Sequence, residues 1–310
     1  MSDVKNQVIE EVKKVICGKD EVIRLVMTAM LSGGHILIED VPGVGKTSMV
    51  LAFSKTMGLD YGRVQFTPDV LPSDITGFSV FDKDTKEMHY QKGAIFHNLF
   101  LADELNRASS RTQSAFLEAM EEGQVTVDEK TYPLPSPFIV FATQNPSGAS
   151  GTSLLPDSQM DRFSVRISMG YPKNEDEKAM LMSRQDGNDP MKTIERVCSA
   201  EDLVRMQQEA SKVHIRDRLF DYIVALADAT RNHPDLERGA SPRATLAMTA
   251  MARAYAYMDG RDFVSDEDVQ RVFVPVMSHR FILTPEAEFN EVKTEKIAEE
   301  IVKKTRVSGK

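Results

Sequence analysis

The chain has no surplus of positive charge: 38 Lys and Arg stand against 47 Asp and Glu, a formal net charge of −9. Without a basic field it has little with which to grip a nucleic-acid backbone, so a nucleic-acid partner is disfavoured. Cysteine is nearly absent. Cys17 and Cys198 stand far apart and neither lies near a His at metal-ligand spacing, which argues against a disulfide framework and fits a reducing cytosol. The N-terminal Met-Ser-Asp-Val-Lys lacks an apolar signal core, and no apolar run reaches the roughly 20 residues needed to cross a bilayer. A soluble cytoplasmic protein with no membrane insertion is expected. The 17 methionines, scattered as at Met248, Met251 and Met258, suit helical cores better than a metal site. What is present is 310 residues of ordinary apolar content, long enough for two domains.

The most informative segment is residues 40 to 47, Asp-Val-Pro-Gly-Val-Gly-Lys-Thr, directly after the apolar run His35-Ile-Leu-Ile38. A glycine-rich turn between a strand and a helix points backbone N–H groups inward to cradle phosphates, and the helix N-terminus adds its positive dipole end. Lys46 then reaches the outer phosphates and Thr47 ligates Mg²⁺. The pattern G-x-x-x-x-G-K-[ST] asks for Gly at position 40, where this chain has Asp40. Gly-rich turns ending in Lys-Thr also occur as ordinary helix starts.

A second segment completes the chemistry. Residues 99 to 104, Leu-Phe-Leu-Ala-Asp-Glu, are an apolar run too short for a helix and closed by two carboxylates, as in a buried parallel strand of the Walker B kind. Asp103 is suited to hold Mg²⁺ through its water shell, and Glu104 to polarise the water that attacks a γ-phosphate. The same acidic pair before Asn106, Ser109 and Ser110 also suits a helix N-terminus.

Five short strands are expected in the first half, at His35–Glu39, Arg63–Phe66, Leu99–Asp103, Phe138–Thr143 and Ser164–Ser168. Thr112, Ala115, Phe116, Ala119 and Met120 mark one apolar helical face, with Gly123 placed to stop that helix. Strands alternating with helices predict a parallel sheet covered on both faces, its ligand beyond the strand C-termini. Residues 78 to 91 and 124 to 134 each read as two short strands around a polar turn. Beyond about residue 190 helical patterns dominate, at Leu219–Arg231, Pro242–Met258 and Asp266–Val272, the last opened by Ser265 as N-cap. Residues 186 to 190 form the best linker, and the polar tail Lys303–Lys310 is expected to fray.

With both motifs placed, the chain resembles the AAA+ ATPases, and most closely the MoxR family, nearly end to end. The carriers are residues 39 to 47, the run 65 to 77 from Gln65 to Gly77, Leu101-Ala-Asp-Glu-Leu-Asn-Arg107, Glu122-Gly-Gln-Val-Thr-Val127, Ala142-Thr-Gln-Asn-Pro146, Leu155 to Phe163, and Gly239-Ala-Ser-Pro-Arg-Ala244. Acidic residues at position 40 are familiar in that family.

The resemblance implies an α/β P-loop NTPase core, a parallel five-stranded sheet with helices on both faces over residues 1–188, followed by a smaller all-α lid over 189–310. It implies ATP and Mg²⁺ as cofactors, a cradle of Pro42, Gly43, Val44, Gly45, Lys46, Thr47 and Ser48 with Asp103, and an adenine pocket along Val15–Asp20 that includes Gly18. No Asn-Lys-x-Asp guanine-reading motif is present. Asn145 matches sensor 1 and Arg243 matches sensor 2, a cation reaching from the lid to the nucleotide. Arg162 matches the arginine finger, which acts on a neighbouring subunit and so implies a homo-oligomer, a hexameric ring. Arg107 and Arg111 compete for that role, and Arg162 could instead pair with Asp161 or Asp157. The inserts resemble the helix-2 insert and the pre-sensor-1 hairpin of the branch that includes magnesium chelatase and MCM helicases. The function implied is ATP-driven remodelling of a client protein with a von Willebrand factor A domain partner; the alternatives are a DNA-remodelling motor of the same branch and a non-catalytic ATP-binding scaffold.

Overall fold

The structure, a computed structural model, describes residues 2–145 and 154–307. Pro146, at the end of the fourth expected strand's motif, lies outside them. Among the described residues nine strands precede the helical part: β1 (Ile36–Glu39), β2 (Tyr61–Gln65), β3 (Gly77–Phe81), β4 (Met88–Lys92), β5 (Leu99–Asp103), β6 (Gln124–Val127), β7 (Lys130–Pro133), β8 (Ile139–Gln144) and β9 (Val165–Ile167). Five of them form one sheet in the order β2-β5-β8-β1-β9. Every pairing in it is parallel.

The apolar runs on these strands do not alternate because both faces are covered. Ile36, Ile38, Leu99, Leu101, Ile139 and Phe141 point into one buried cluster, while Leu37, Phe100, Ala102, Val140 and Ala142 point into another. That is the period-two split of side chains expected of a sheet between two helical layers. The first cluster runs on into the helices of the C-terminal part, through Leu226, Met248, Met251 and Phe273. The strand order keeps β5 and β8 in the interior of the sheet, and both are buried at every position.

Strand boundaries follow pairing rather than composition. β2 opens at Tyr61, two residues before the expected Arg63, because Tyr61 and Gly62 pair with Leu99 and Phe100. The helix expected around Thr112–Met120 spans Ser110–Glu122; Ser109 caps it by accepting from Thr112 N–H, and Gly123 stops it at φ 63. The helix read as Asp266–Val272 continues to Met277 although it contains Pro275, because Phe273, Val276 and Met277 are buried. Pro242–Met258 matches its expected bounds. The linker at 186 to 190 overlaps two single 3-10 turns, Gln185–Gly187 and Pro190–Lys192, with only Asn188 and Asp189 between them. Lys303 and Lys304 belong to the helix Thr294–Lys304, so the tail begins later than expected. The helical part also holds a two-stranded ribbon, β10 (Leu236–Arg238) with β11 (Ile282–Leu283), so it is helical but not purely so.

Both inserts are antiparallel hairpins, β3–β4 and β6–β7. They are in contact. Tyr90 of the first stacks on Tyr132 of the second, ring centroids 3.9 Å apart and planes at 17°. Among the described residues no helix is long and apolar enough to cross a membrane.

Candidate phosphate-binding site

The chain leaves β1 at Glu39 and turns through residues 40 to 45 into the helix Lys46–Thr56. Asp40, where a glycine was asked for, is buried. Its carboxylate accepts from the Ser168 hydroxyl at 3.2 Å and from the backbone N–H groups of Gly170, at 2.9 Å, and Met169. A glycine could not make these bonds. The acidic residue thus fastens the start of the loop to the chain leaving β9.

Gly45 is the N-cap of the following helix at φ 98, a left-handed conformation that costs a side chain dearly, and no side chain caps the helix. The free N–H groups and dipole of that helix end face the groove, which is what an anion requires. Lys46 is the second independent feature. Its Nζ donates to Asp40 O at 2.7 Å and to Asn145 Oδ1 at 3.3 Å. Desolvation pulls its pKa below the ordinary value against the attraction of Asp40, Asp103 and Glu104. An ammonium held in this way gains from a phosphate what burial has cost it. The groove has a volume of about 330 Å³ and is lined by Pro42, Gly43, Gly45, Lys46, Thr47, Ser48, Asp103, Glu104 and Asn145. Val44 instead packs against the hydrophobic cluster.

Both carboxylates at the end of the Leu99–Glu104 run are engaged. Asp103 accepts from Thr143 Oγ1 at 2.6 Å through one oxygen and from Arg63 Nη2 at 2.7 Å through the other. Glu104 sits at φ 52, ψ 46, a left-handed conformation that a non-glycine residue holds only under constraint. The constraint is visible: its N–H donates to Thr143 Oγ1 at 2.9 Å, Asn145 Nδ2 donates to Oε1 at 3.2 Å and Arg107 Nη1 donates to Oε2 at 2.7 Å. Lys46, Asn145, Glu104 and Arg107 therefore form one polar chain across the groove. Thr143 and Arg63 were missed from sequence. Arg63 was legible as a lone charge in a strand flanking an acidic strand end, whereas Thr143 looks like any β-branched residue of a buried strand.

The donors fit the expected groups. Thr47 offers a hydroxyl and Asp103 a carboxylate, hard oxygens suited to Mg²⁺ that takes its other ligands from water and phosphate. The segment Val15–Asp20 reaches the loop: Ile16 Cδ1 and Met169 Cε lie 3.8 and 3.7 Å from where a Cβ on Gly45 would stand. Gly18 is needed for close approach, since a Cβ there would lie 2.0 Å from Asp176 Oδ2. Lys19 Nζ donates to Tyr171 O at 2.8 Å.

Arg162 and Arg243 are not among the groove-lining residues. They meet elsewhere, on Glu121 in the last turn of the helix Ser110–Glu122, each guanidinium on its own carboxylate oxygen. Arg162 pairs with neither Asp161 nor Asp157. Asp161 is taken by Arg280 Nε at 2.8 Å and the Ser241 hydroxyl at 2.9 Å, and Asp157 lies 3.7 Å from Arg238. Arg107 faces its own Glu104, and Arg111 is exposed.

Residues 35–165 match the ATPase family associated with various cellular activities (AAA), and residues 228–301 match the AAA lid domain. The chain is similar to the uncharacterized Bacillus subtilis protein YeaC, 45% identical over 96% of this chain and 93% of that one. It is 40% identical to the Mycobacterium tuberculosis chaperone MoxR1 over 93% of this chain and 78% of the relative. A solved structure of a candidate ATPase from Cytophaga hutchinsonii superposes with a TM-score of 0.90 at 38% identity, covering 99% of this chain and 96% of that one.

Proposed function

Because the chain belongs to the MoxR family of AAA+ ATPases, we propose that it hydrolyses Mg²⁺-bound ATP and uses the cycle to remodel a client protein. The observation that carries the reading is the convergence of Lys46, Thr47, Asp103, Glu104 and Asn145 in one groove at an uncapped helix N-terminus. Lys46 exchanges the Asp40 carbonyl for the β- and γ-phosphates. Thr47 and Asp103 would hold Mg²⁺, which when bound would neutralise charge on the phosphates, with Arg63 holding the second Asp103 oxygen in place. Glu104 takes a proton from the attacking water, and Asn145, already bonded to Glu104, positions that water. Gly18 and its neighbours border the adenine, and Val44 and Ser48 complete the cradle with backbone groups. The core comprises residues 1–188 and the lid 189–310.

Arg162 acts on the nucleotide of the adjoining copy, and Arg243, expected to reach a nucleotide from the lid, departs from its own groove to Glu121 and is assigned to the same neighbouring nucleotide, both stabilising charge spread over the transferring phosphoryl group. What supports this is that both pair with the one carboxylate of Glu121 rather than with residues of their own groove. The site is then incomplete in one subunit, and a homo-hexameric ring in the cytoplasm, with a von Willebrand factor A domain partner, follows from the family resemblance. A steady-state phosphate-release assay tests the reading. ATP hydrolysis unaffected by single-stranded DNA supports it, stimulation by DNA favours a nucleic-acid motor, and ATP binding without turnover leaves a scaffold.

A further inference from the structure

Glu121 has no part in the groove and no partner among its own helix neighbours that would explain it, yet it bridges two arginines. Arg162 Nη1 and Arg243 Nη2 each sit on a separate oxygen of its carboxylate. Among the described residues Glu121 is the only side chain hydrogen-bonded to either arginine; Arg162 also donates to Leu117 O at 3.1 Å. The arginines come from distant parts of the chain, but their roots share one mount. Asp161, next to Arg162, accepts the hydroxyl of Ser241, which precedes Pro242 and Arg243, and is itself held by Arg280, whose side chain is only 2% exposed. Asp161 therefore fixes where the two side chains begin, and Glu121 fixes where they end.

The physics of the heads is that of two like charges brought together on a protein surface. One carboxylate faces two guanidinium groups, and the Arg162 and Arg243 side chains are 29% and 44% exposed. The spacing is that of two oxygens on one anionic centre, the geometry a phosphoryl group presents. Ion pairs this exposed are weak, so yielding the arginines costs little, whereas prior alignment of two long side chains removes much of the entropy of assembling them.

We infer that Glu121 is a positioning residue: it holds Arg162 and Arg243 as an aligned pair and hands them to the γ-phosphate of ATP bound by the adjoining copy. The inference rests on the proposed role of these arginines across the interface. It differs from a capping or purely structural role for Glu121, which would act through the helix end and the hairpin that follows.

The test uses the full-length oligomer and the isosteric change Glu121→Gln, with Glu121→Ala as a second variant. Turnover should fall about tenfold in both, with KM for ATP within twofold of wild type, since the subunit's own groove is untouched. Retention of ADP–aluminium fluoride, a mimic of the transferring phosphoryl group that needs no turnover, should fall in parallel. In an Arg162→Ala/Arg243→Ala background the Glu121 change should add nothing, because its only route to the reaction is gone. Wild-type turnover in Glu121→Gln, where Arg162→Ala is impaired, overturns this inference alone. An equal further loss in the double-arginine background also overturns it. Full activity of Arg162→Ala and Arg243→Ala would instead remove the reading on which it rests.

Discussion

Glu104→Gln separates binding from chemistry at a groove residue whose backbone is visibly constrained. The change keeps the side-chain shape and the Oε1 acceptor for Asn145, and it leaves φ 52 as tolerable for Gln as for Glu. It deletes the charge paired with Arg107 at 2.7 Å, but those side chains are 44% and 23% exposed, and such pairs contribute about 0–1 kcal/mol. For a chain of this size that is a Tm change of about 4 °C at most. Glu104 donates nothing to phosphate, so ATP affinity should remain within a few-fold of wild type. Loss of a general base removes about 10² to 10⁴ in rate, roughly 2.7 to 5.5 kcal/mol of barrier. Nucleotide affinity by fluorescence titration and phosphate release at saturating ATP are to be measured on the same preparation. If affinity drops as much as turnover, or if Tm falls by far more than the ion pair allows, Glu104 is a structural residue and the assignment of the base is wrong.

Lys46→Ala should weaken ATP binding while the apo fold survives, and unchanged affinity would sink the phosphate-loop assignment. Arg162→Ala should lose most hydrolysis but bind ATP normally; mixing it with Lys46→Ala subunits should restore some activity, since mixed interfaces unite an intact groove with an intact finger, and no recovery despite co-assembly would move the finger role to Arg107 or Arg111. Stability should fall on acidification. Burial lowers the pKa of His35 to about 4, against a bond to Met120 O that raises it, and that of His279 well below 6.5, with Arg280 and Arg166 adding to the effect. The unfolded chain therefore takes up protons first. Stability is full above about pH 6.5 and declines towards pH 4 as these buried rings are forced to take up protons; a Tm flat between pH 7 and 5 would contradict this. Replacing Phe78–Tyr90 by a short Gly-Ser turn should leave basal hydrolysis within a few-fold and abolish nucleotide-dependent binding of a von Willebrand factor A partner, and preserved coupling would make the hairpin decoration.

The parts legible in the sequence were those written in local pattern. The phosphate loop, the acidic strand end, both hairpins and the helix from Pro242 to Met258 each announce themselves within a short stretch, through turn glycines, apolar period or a cap. What could not be read locally was partnership. Asp40 looked like a defect in a motif and is a bond to residues 168 to 170; its meaning depends on β9 lying beside β1, although Gly170 is 130 residues away in the chain. Arg63 and Thr143 acquire their roles only because β2 and β8 flank β5, so that both side chains fall on Asp103. Arg162 carried two local suggestions, Asp161 and Asp157, and took neither, because burial of Arg280 had already committed Asp161. A motif fixes which atoms are available, and the fold decides which of them meet.

The helix Ser110–Glu122 shows why the inserts and the groove should be considered together. Its N-terminal side follows Glu104 and Arg107 through a single 3-10 turn, Leu105–Arg107. Its last turn carries Glu121 with both arginines, and its C-cap Gly123 leads directly into β6. His35, immediately before β1, joins Met120 O at 3.2 Å and so ties the same last turn to the sheet. Through β7 the second hairpin places Tyr132 against Tyr90 of the first, whose hydroxyl in turn bonds Thr76 O. The helix thus has Glu104, proposed to polarise the water, close before its start and the two arginines, proposed to face a neighbour, on its last turn, with the second hairpin directly beyond it. A ligand shifts a conformational equilibrium only by its difference in affinity between two states. On the proposed reading, contacts at Glu104 and at Glu121 that differ between nucleotide states would act on the two ends of one helix, to which the second hairpin is joined. Removing Tyr132 would delete the aromatic stack that joins the hairpins while leaving every groove residue in place, which makes Tyr132→Ala the sharper companion to the hairpin deletion: it should keep basal turnover and weaken partner coupling, and coupling that persists unchanged would mean that β3–β4 receives its signal through its packing on β6 or through Thr76 instead.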